Sequence, residues 1–434
     1  MKKHIFLTLL FCLVPCLLQA QVKSFTFEIP GAGFNYDDGG IIRSVGNDSL
    51  VVFYKNPTPA QYISTIKVVG FTSGMLPVPN GNKNAIDNNI SINDIRVLDD
   101  YAFFCGYTQT PNVGVFGWCN LQTGVYEYTS VASTSTLKKL AVNKVNGNYH
   151  LVAIGNLPSM QNCIVESADV MYGSTVSICL MPYVSSSQAE VLDDVFFTDN
   201  YSVFVGRDTR WGDNCISIRM STLSYATTNT ALCNKYMFYS DNSLLGATHS
   251  VCMDSNRFAL TYVDNALRMD MHRVSVAGGT PSIAVSQREN AYVENEMKDV
   301  AYLAESRQVL VLWRQTGNKV CHMVLLDPFK TVPYSFPDPW WADRVATAAT
   351  HLGGHCFAIW GANGCALQNT QTYLGPASPY SCLRTAENNA IIIPTPEIIE
   401  SVECVATSVL GVSHTPEIPF HAPFPPTTKC IKYE

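Results

Sequence analysis

Short runs of aromatic and β-branched residues recur along this chain, each entered through a polar turn. Leu50 opens LVVFY after Gly46-Asn47-Asp48-Ser49, Tyr101 opens YAFFCGY after Asp99-Asp100, and Tyr149 opens YHLVAIG after Asn146-Gly147-Asn148. Tyr201 opens YSVFVG after Asp199-Asn200, and Phe258 opens FALTYV after Asp254-Ser255-Asn256. Val309 opens VLVLW after Glu305-Ser306-Arg307, and Cys356 opens CFAIW after Gly353-Gly354. Successive starts lie 47 to 57 residues apart, and a second short apolar strand precedes each turn. Asn-Gly, Asp-Asn and Gly-Gly between apolar runs mark hairpins, because tight primed turns need positive φ at their centre.

A third strand follows in most units: YISTIKVVG from Tyr62, VGVFGWC from Val113, CISIRMS from Cys215, LRMDMHRVSV from Leu267 and VCHMVLL from Val320. A weaker, more polar fourth closes several: VYEYTSV from Val125, VSICLM from Val176, KYMFYS from Lys235 and SIAVSQ from Ser282. Four antiparallel strands at this period are the pattern of a β-propeller blade. The expected fold class is all-β, a seven-bladed β-propeller of four-stranded antiparallel blades over residues 21–373. The first and last units are the least regular, so six or eight blades are the alternatives, and paired β-sandwiches are the competing architecture. The almost wholly apolar strands are expected at the inner positions, buried on both faces, with polar strands at the rim. FTFEI (Phe25–Ile29) has no unit of its own and is expected to close the ring as the outer strand of the last blade.

Composition removes some classes. The 434 residues are 47% hydrophobic and 15% charged, with a formal charge of −7, which excludes global disorder and a nucleic-acid binder relying on positive charge. Lys2-Lys3, the apolar run Ile5–Leu18 and the small residue Ala20 read as a secretory signal peptide over residues 1–20, placing the protein in the periplasm or at the cell surface. Lipidation at Cys16 is the minority reading, since Pro15 fits such a site poorly. No later stretch is long enough for a membrane helix, so no integral membrane segment is expected after the signal. Residues 374–434 hold nine of the 23 prolines and are expected to be a Pro-rich C-terminal extension, packed on the propeller or acting as a tether.

Thirteen cysteines follow the signal, an odd number in an oxidising compartment. Cys105/Cys119, Cys163/Cys179, Cys215/Cys233, Cys356/Cys365 and Cys404/Cys430 are close enough in sequence for disulfides, against the alternative that they are small buried hydrophobes.

Two segments carry candidate ligand-binding chemistry. Arg207-Asp208-Thr209-Arg210-Trp211-Gly212-Asp213 sets an aromatic plane among guanidinium and carboxylate groups, suited to stacking on a sugar or clamping an acidic group. The Pro339-Trp340-Trp341-Ala342-Asp343-Arg344 segment offers two adjacent aromatics, as a ligand contact or as a plug between blades. His351 and His355 lack a nameable third ligand, while Asp37-Asp38 and Asp87 with Asp94 lack an EF-hand order. No metal and no cofactor is therefore expected. No G-x-S-x-G, phosphate loop or H-E-x-x-H occurs. The repeats lack the Trp-Asp ending of WD40 blades and the paired glycines of kelch. Over about residues 25–373 the chain resembles, in general terms, exported bacterial propeller proteins acting as binding or scaffold modules.

The expected function is a non-catalytic binding or scaffold propeller that engages a protein or glycan through one face. The alternatives are a glycan-active hydrolase or lyase with carboxylates from several blades, or a subunit of a surface assembly docking through the C-terminal extension.

Overall fold

Each apolar run folds as the second strand of an antiparallel sheet, hydrogen-bonded to a strand on either side. The computed structural model describes residues 23–27 and, with short interruptions, 40–369. The signal segment, the extension 374–434, Asp37-Asp38, Arg344, Cys233 and the Cys404/Cys430 pair lie outside the described residues.

The described strands form seven antiparallel sheets. The second is Ile90–Leu98, Tyr101–Gln109, Asn112–Asn120 and Tyr126–Val131. The third is Thr136–Val145, Asn148–Asn156, Asn162–Asp169 and Ser174–Leu180. The fifth and sixth begin with Leu244–Asp254 and Asn295–Leu303, and the sixth ends with Trp340–Ala342. The first sheet begins with Ile41–Val45, and its third strand, Gln61–Val69, pairs with two short outer pieces. The fourth begins with Gln188–Phe197 and continues through Tyr201–Asp208, Cys215–Thr222 and Asn234–Tyr239, with Tyr183–Ser185 hairpinned onto its start. The seventh runs Ala346–Gly353, Cys356–Gly361, Gly364–Asn369, and Lys23–Phe27 completes it, Phe25 opposite Leu367. The first strands pack against one another in chain order, and the seventh returns to the first. Sheets arranged cyclically about an axis make a β-propeller, closed by pairing the two ends of the chain.

One expectation is corrected. The apolar runs occupy second positions, not innermost ones; the innermost strands carry Arg43, Asp94, Arg96, Lys139, Asp194, His249, Asp299 and Thr350. A second strand is covered on both faces by neighbouring sheets, whereas an innermost strand borders the axial channel and tolerates charge there.

The core is a series of apolar clusters between sheets, and strand parity assigns residues to them. Ala102 and Phe104 pack towards the first sheet with Phe53 and Ile63, whereas Phe103 and Cys105 pack towards the third with Leu140 and Leu151. The same parity overturns the expected Cys105–Cys119 disulfide. Cys105 sits opposite Phe116 and Cys119 opposite Ala102, so the two thiols enter different clusters. Cys105, Cys119, Cys215 and Cys252 are free thiols. Cys163 faces Leu180 across its ladder, while Cys179 faces Ile164.

Glycines record a close approach. Gly106 and Gly206, on the second strands of the second and fourth sheets, lie opposite Ile92 and Leu192, where the innermost strand bulges. A Cβ there would stand 1.8 Å from the Ser91 carbonyl oxygen and 1.9 Å from that of Val191.

Candidate functional site

The bulge is the local device that builds the channel. Six of the innermost strands slip register, five by one extra residue and that of the fifth sheet by two. The residue after each slip is Asp94, Lys139, Asp194, Asp299 or Ala348, and His249 in the fifth. A bulge bends the strand and re-aims its side chains, here towards the axis.

The three carboxylates then tie adjacent sheets together. Asp94 accepts from the Leu140 N–H at 3.2 Å, and Asp299 from the Ala349 N–H at 3.0 Å. Asp194 accepts from the Ser250 N–H at 2.8 Å and its hydroxyl at 3.1 Å. In each case a carboxylate of an even-numbered sheet caps the backbone of the next sheet. Arg43 pairs with Asp94 at 2.9 Å and approaches Asp299 at 3.5 Å, and Arg96 lies 3.4 Å from Asp94 and 4.0 Å from Asp194. Burial alone would raise the Asp94 pKa, but the Arg96, Lys139 and Arg43 charges and the Leu140 N–H outweigh it, leaving the carboxyl below its ordinary value. His249, nine per cent exposed, is pushed down by burial and then by Lys139, against the opposing pull of Asp194, Asp299 and Asp193.

Around these groups the channel holds a cavity of about 260 Å³, lined by side chains from all seven innermost strands, among them Arg43, Lys139, His249, Asp299 and Thr350. Asp94 belongs to this network, not to a calcium site with Asp87. No cluster of three or more metal-ligating side chains occurs among the described residues.

The Arg207–Asp213 segment connects the second and third strands of the fourth sheet. Arg207 grips Asp193 bidentately at 2.8 and 2.9 Å. Asp208 caps the 3₁₀ turn Thr209–Trp211 and pairs with Arg210 and Lys235. Burial opposes ionisation of Asp208, but the Arg210 and Lys235 hydrogen bonds prevail and bring its pKa down to about 2. Behind it the buried Glu190 takes Arg219 through two 2.7 Å bonds. The charges of this segment are thus engaged within the sheet, while Trp211, 59% exposed, and Asp213 face solvent. Trp340 and Trp341 lie in the outer strand of the sixth sheet, opposite Met323 and His322. The structure does not bring the two predicted segments together within one sheet.

A second hollow, which the repeat pattern did not reveal, lies on the outer side where the second sheet meets the third. It measures about 370 Å³ and is lined by Trp118, Glu127, Tyr128, Met171 and Tyr172, with Phe116 and Val170 also at its walls. Tyr172, on the 3₁₀ turn Val170–Tyr172, is 83% exposed. Tyr128 stands on the outer strand Tyr126–Val131. The only sequence trace of it is the tyrosine pair of VYEYTSV, which the outer strand KYMFYS shares.

No protein-family model and no curated protein matches this chain. Solved structures do. A chain of Kuenenia stuttgartiensis hydrazine synthase matches with a TM-score of 0.50 at 11% identity, over 85% of this chain and 99% of that one. A prolyl endopeptidase matches with a TM-score of 0.46 at 11% identity, over 76% of this chain and 47% of that one, so this chain spans about half its length. The Dos1 propeller matches with a TM-score of 0.44 at 10% identity, over 79% of this chain and 81% of that one. Likeness at such identity shows the fold alone; the β-propeller itself is read from the cyclic order of the sheets.

Proposed function

We propose that this protein is an exported, non-catalytic binding propeller that engages a glycan through the groove between its second and third sheets. The observation that carries the reading is the groove itself: a concave, 370 Å³ hollow with two exposed tyrosines and the solvent-facing Glu127. Aromatic planes stack on the apolar face of a sugar ring, and a carboxylate beside them accepts from its hydroxyls. The non-catalytic part is supported by the channel, where backbone N–H groups or arginines engage Asp94, Asp194 and Asp299 as charged structural acceptors. A glycosidase needs instead one carboxyl kept protonated as an acid. Export rests on the Lys2–Ala20 pattern, and burial of the free thiols suits an oxidising compartment because the thiolate is the reactive species.

A glycan array probed with wild type, Tyr172→Ala and Trp211→Ala tests the site. Binding lost in Tyr172→Ala and kept in Trp211→Ala supports the groove. The reverse result transfers the ligand to the Trp211 turn, and cleavage of the bound glycan overturns the non-catalytic reading. N-terminal sequencing of the secreted protein should begin at Gln21; a retained Met1 would refute export by this signal.

A further inference from the structure

We propose that the axial cavity is a binding site for a small organic monocarboxylate, held between the Lys139 ammonium, the Nη1 edge of Arg96 and the His249 imidazole. These groups come from the innermost strands of the third, second and fifth sheets and line one cavity of about 260 Å³. They differ from their neighbours in being unanswered. Among the described residues Lys139 makes no ion pair within 4.0 Å, the His249 ring makes no hydrogen bond, and Arg96 uses Nε on the Leu140 carbonyl and Nη2 towards Asp94 and Asp194. His249 is nine-tenths buried as a residue, and its ring nitrogens keep access to the cavity with no hydrogen-bond partner from the described residues.

Charge selects the ligand. Arg43, Arg96 and Lys139 face Asp94, Asp194 and Asp299 across the channel, three cations against three anions. The carboxylates are closed to a cation because their oxygens already accept: Asp194 from Val195 N–H and Ser250, Asp299 from Val300 N–H and Ala349 N–H. An incoming monoanion is neutralised when His249 takes up one proton. A dianion would leave a charge uncompensated beside three aspartates. The groups facing His249 set its response. Burial and Lys139 from the third sheet disfavour its protonation, while Asp194 and Asp193 from the fourth sheet and Asp299 from the sixth favour it. Arg43, Arg96 and His351 line the same cavity from the first, second and seventh sheets. A bound carboxylate offsets Lys139 and tips that balance. This site is independent of the outer groove and stands or falls without it.

The test is isothermal titration calorimetry of the full chain with D-glucuronate as probe, D-glucose as the neutral control and inorganic phosphate as the competing anion. At about pH 5.5 and about pH 7.5, in buffers of different ionisation enthalpy, glucuronate should bind with uptake of roughly one proton and tighten by up to about tenfold per pH unit lowered. Glucose should not bind, and at about pH 7.5, where inorganic phosphate is largely the dianion, phosphate should bind more weakly than glucuronate. Lys139→Met should weaken glucuronate by at least about tenfold with Lys139→Arg restoring it, and His249→Gln should remove the pH dependence. Absence of glucuronate binding at both pH values, equal binding of glucose, tighter binding of phosphate, or folded variants that bind as wild type would each overturn the proposal. Should the substitutions unfold the chain, the His249 imidazole resonances of wild type decide: movement on adding glucuronate supports the site, and no movement refutes it.

Discussion

At the residue scale, small and charged side chains hold positions that nothing else fits. Gly206→Ala forces a methyl into the Val191 carbonyl, which belongs to backbone and cannot swing aside. The cost is expected at about 1–3 kcal/mol or more, read as a lowered midpoint in urea, whereas alanine at Gly147, with open space around it, should act only through its positive φ. Cysteines follow the same logic of place. Burial raises the Cys119 thiol to about 11 and Cys252 to about 12. Native protein at neutral pH should therefore leave these thiols unlabelled by an alkylating agent, while the unfolded, unreduced chain should show at least the four free thiols by mass spectrometry. Complete absence of labelling after unfolding would restore the disulfide reading.

Among the elements, closure rests on a five-residue strand. Lys23–Phe27 covers the outer edge of Gly364–Asn369, and without it the seventh sheet presents an unpaired ladder. Deleting residues 21–29 from the mature chain should lower the thermal midpoint by several degrees and promote association, seen as a concentration-dependent rise in light scattering; an unchanged midpoint and a monomer would contradict closure by this strand. The expectation from FTFEI holds over Phe25–Phe27, and the pairing begins two residues earlier, at Lys23. Apolar runs announced second strands clearly because both of their faces are buried. Innermost strands were harder to place, since the channel lets Asp94, Asp194 and Asp299 interrupt their pattern. A signal for them exists in retrospect: an aspartate followed by isoleucine or valine in alternate units, as in Asp94-Ile95, Asp194-Val195 and Asp299-Val300.

For the whole molecule, the ring of buried charge sets a dependence on pH. Asp94, Glu190 and Asp208 all hold their carboxyls below the ordinary range, each because paired cations outweigh burial. The unfolded chain therefore binds protons that the folded one refuses, and stability is complete above the unfolded carboxyl pKa of about 4. It is lost as the pH falls from there towards about 2, with Asp208 alone contributing on the order of 2 kcal/mol. His249, buried and neutral, adds a loss that begins earlier, below its ordinary 6.5. Thermal midpoints measured down this range should fall in two stages, the first absent in His249→Gln. A midpoint that rises on acidification would contradict the assignment.

Periodicity by itself determined the repeating four-stranded unit, the turns between strands and the propeller class, because burial on two faces writes continuous apolar runs and tight turns demand Gly, Asn or Asp. The two proposed sites were decided only by tertiary structure. Lys139 and His249 are 110 positions apart in sequence, and Tyr128 stands in the second sheet whereas Tyr172 stands in a turn between strands of the third. Each pair meets through the packing of one sheet on others around an axis, a relation among distant strands that no local pattern of residues encodes.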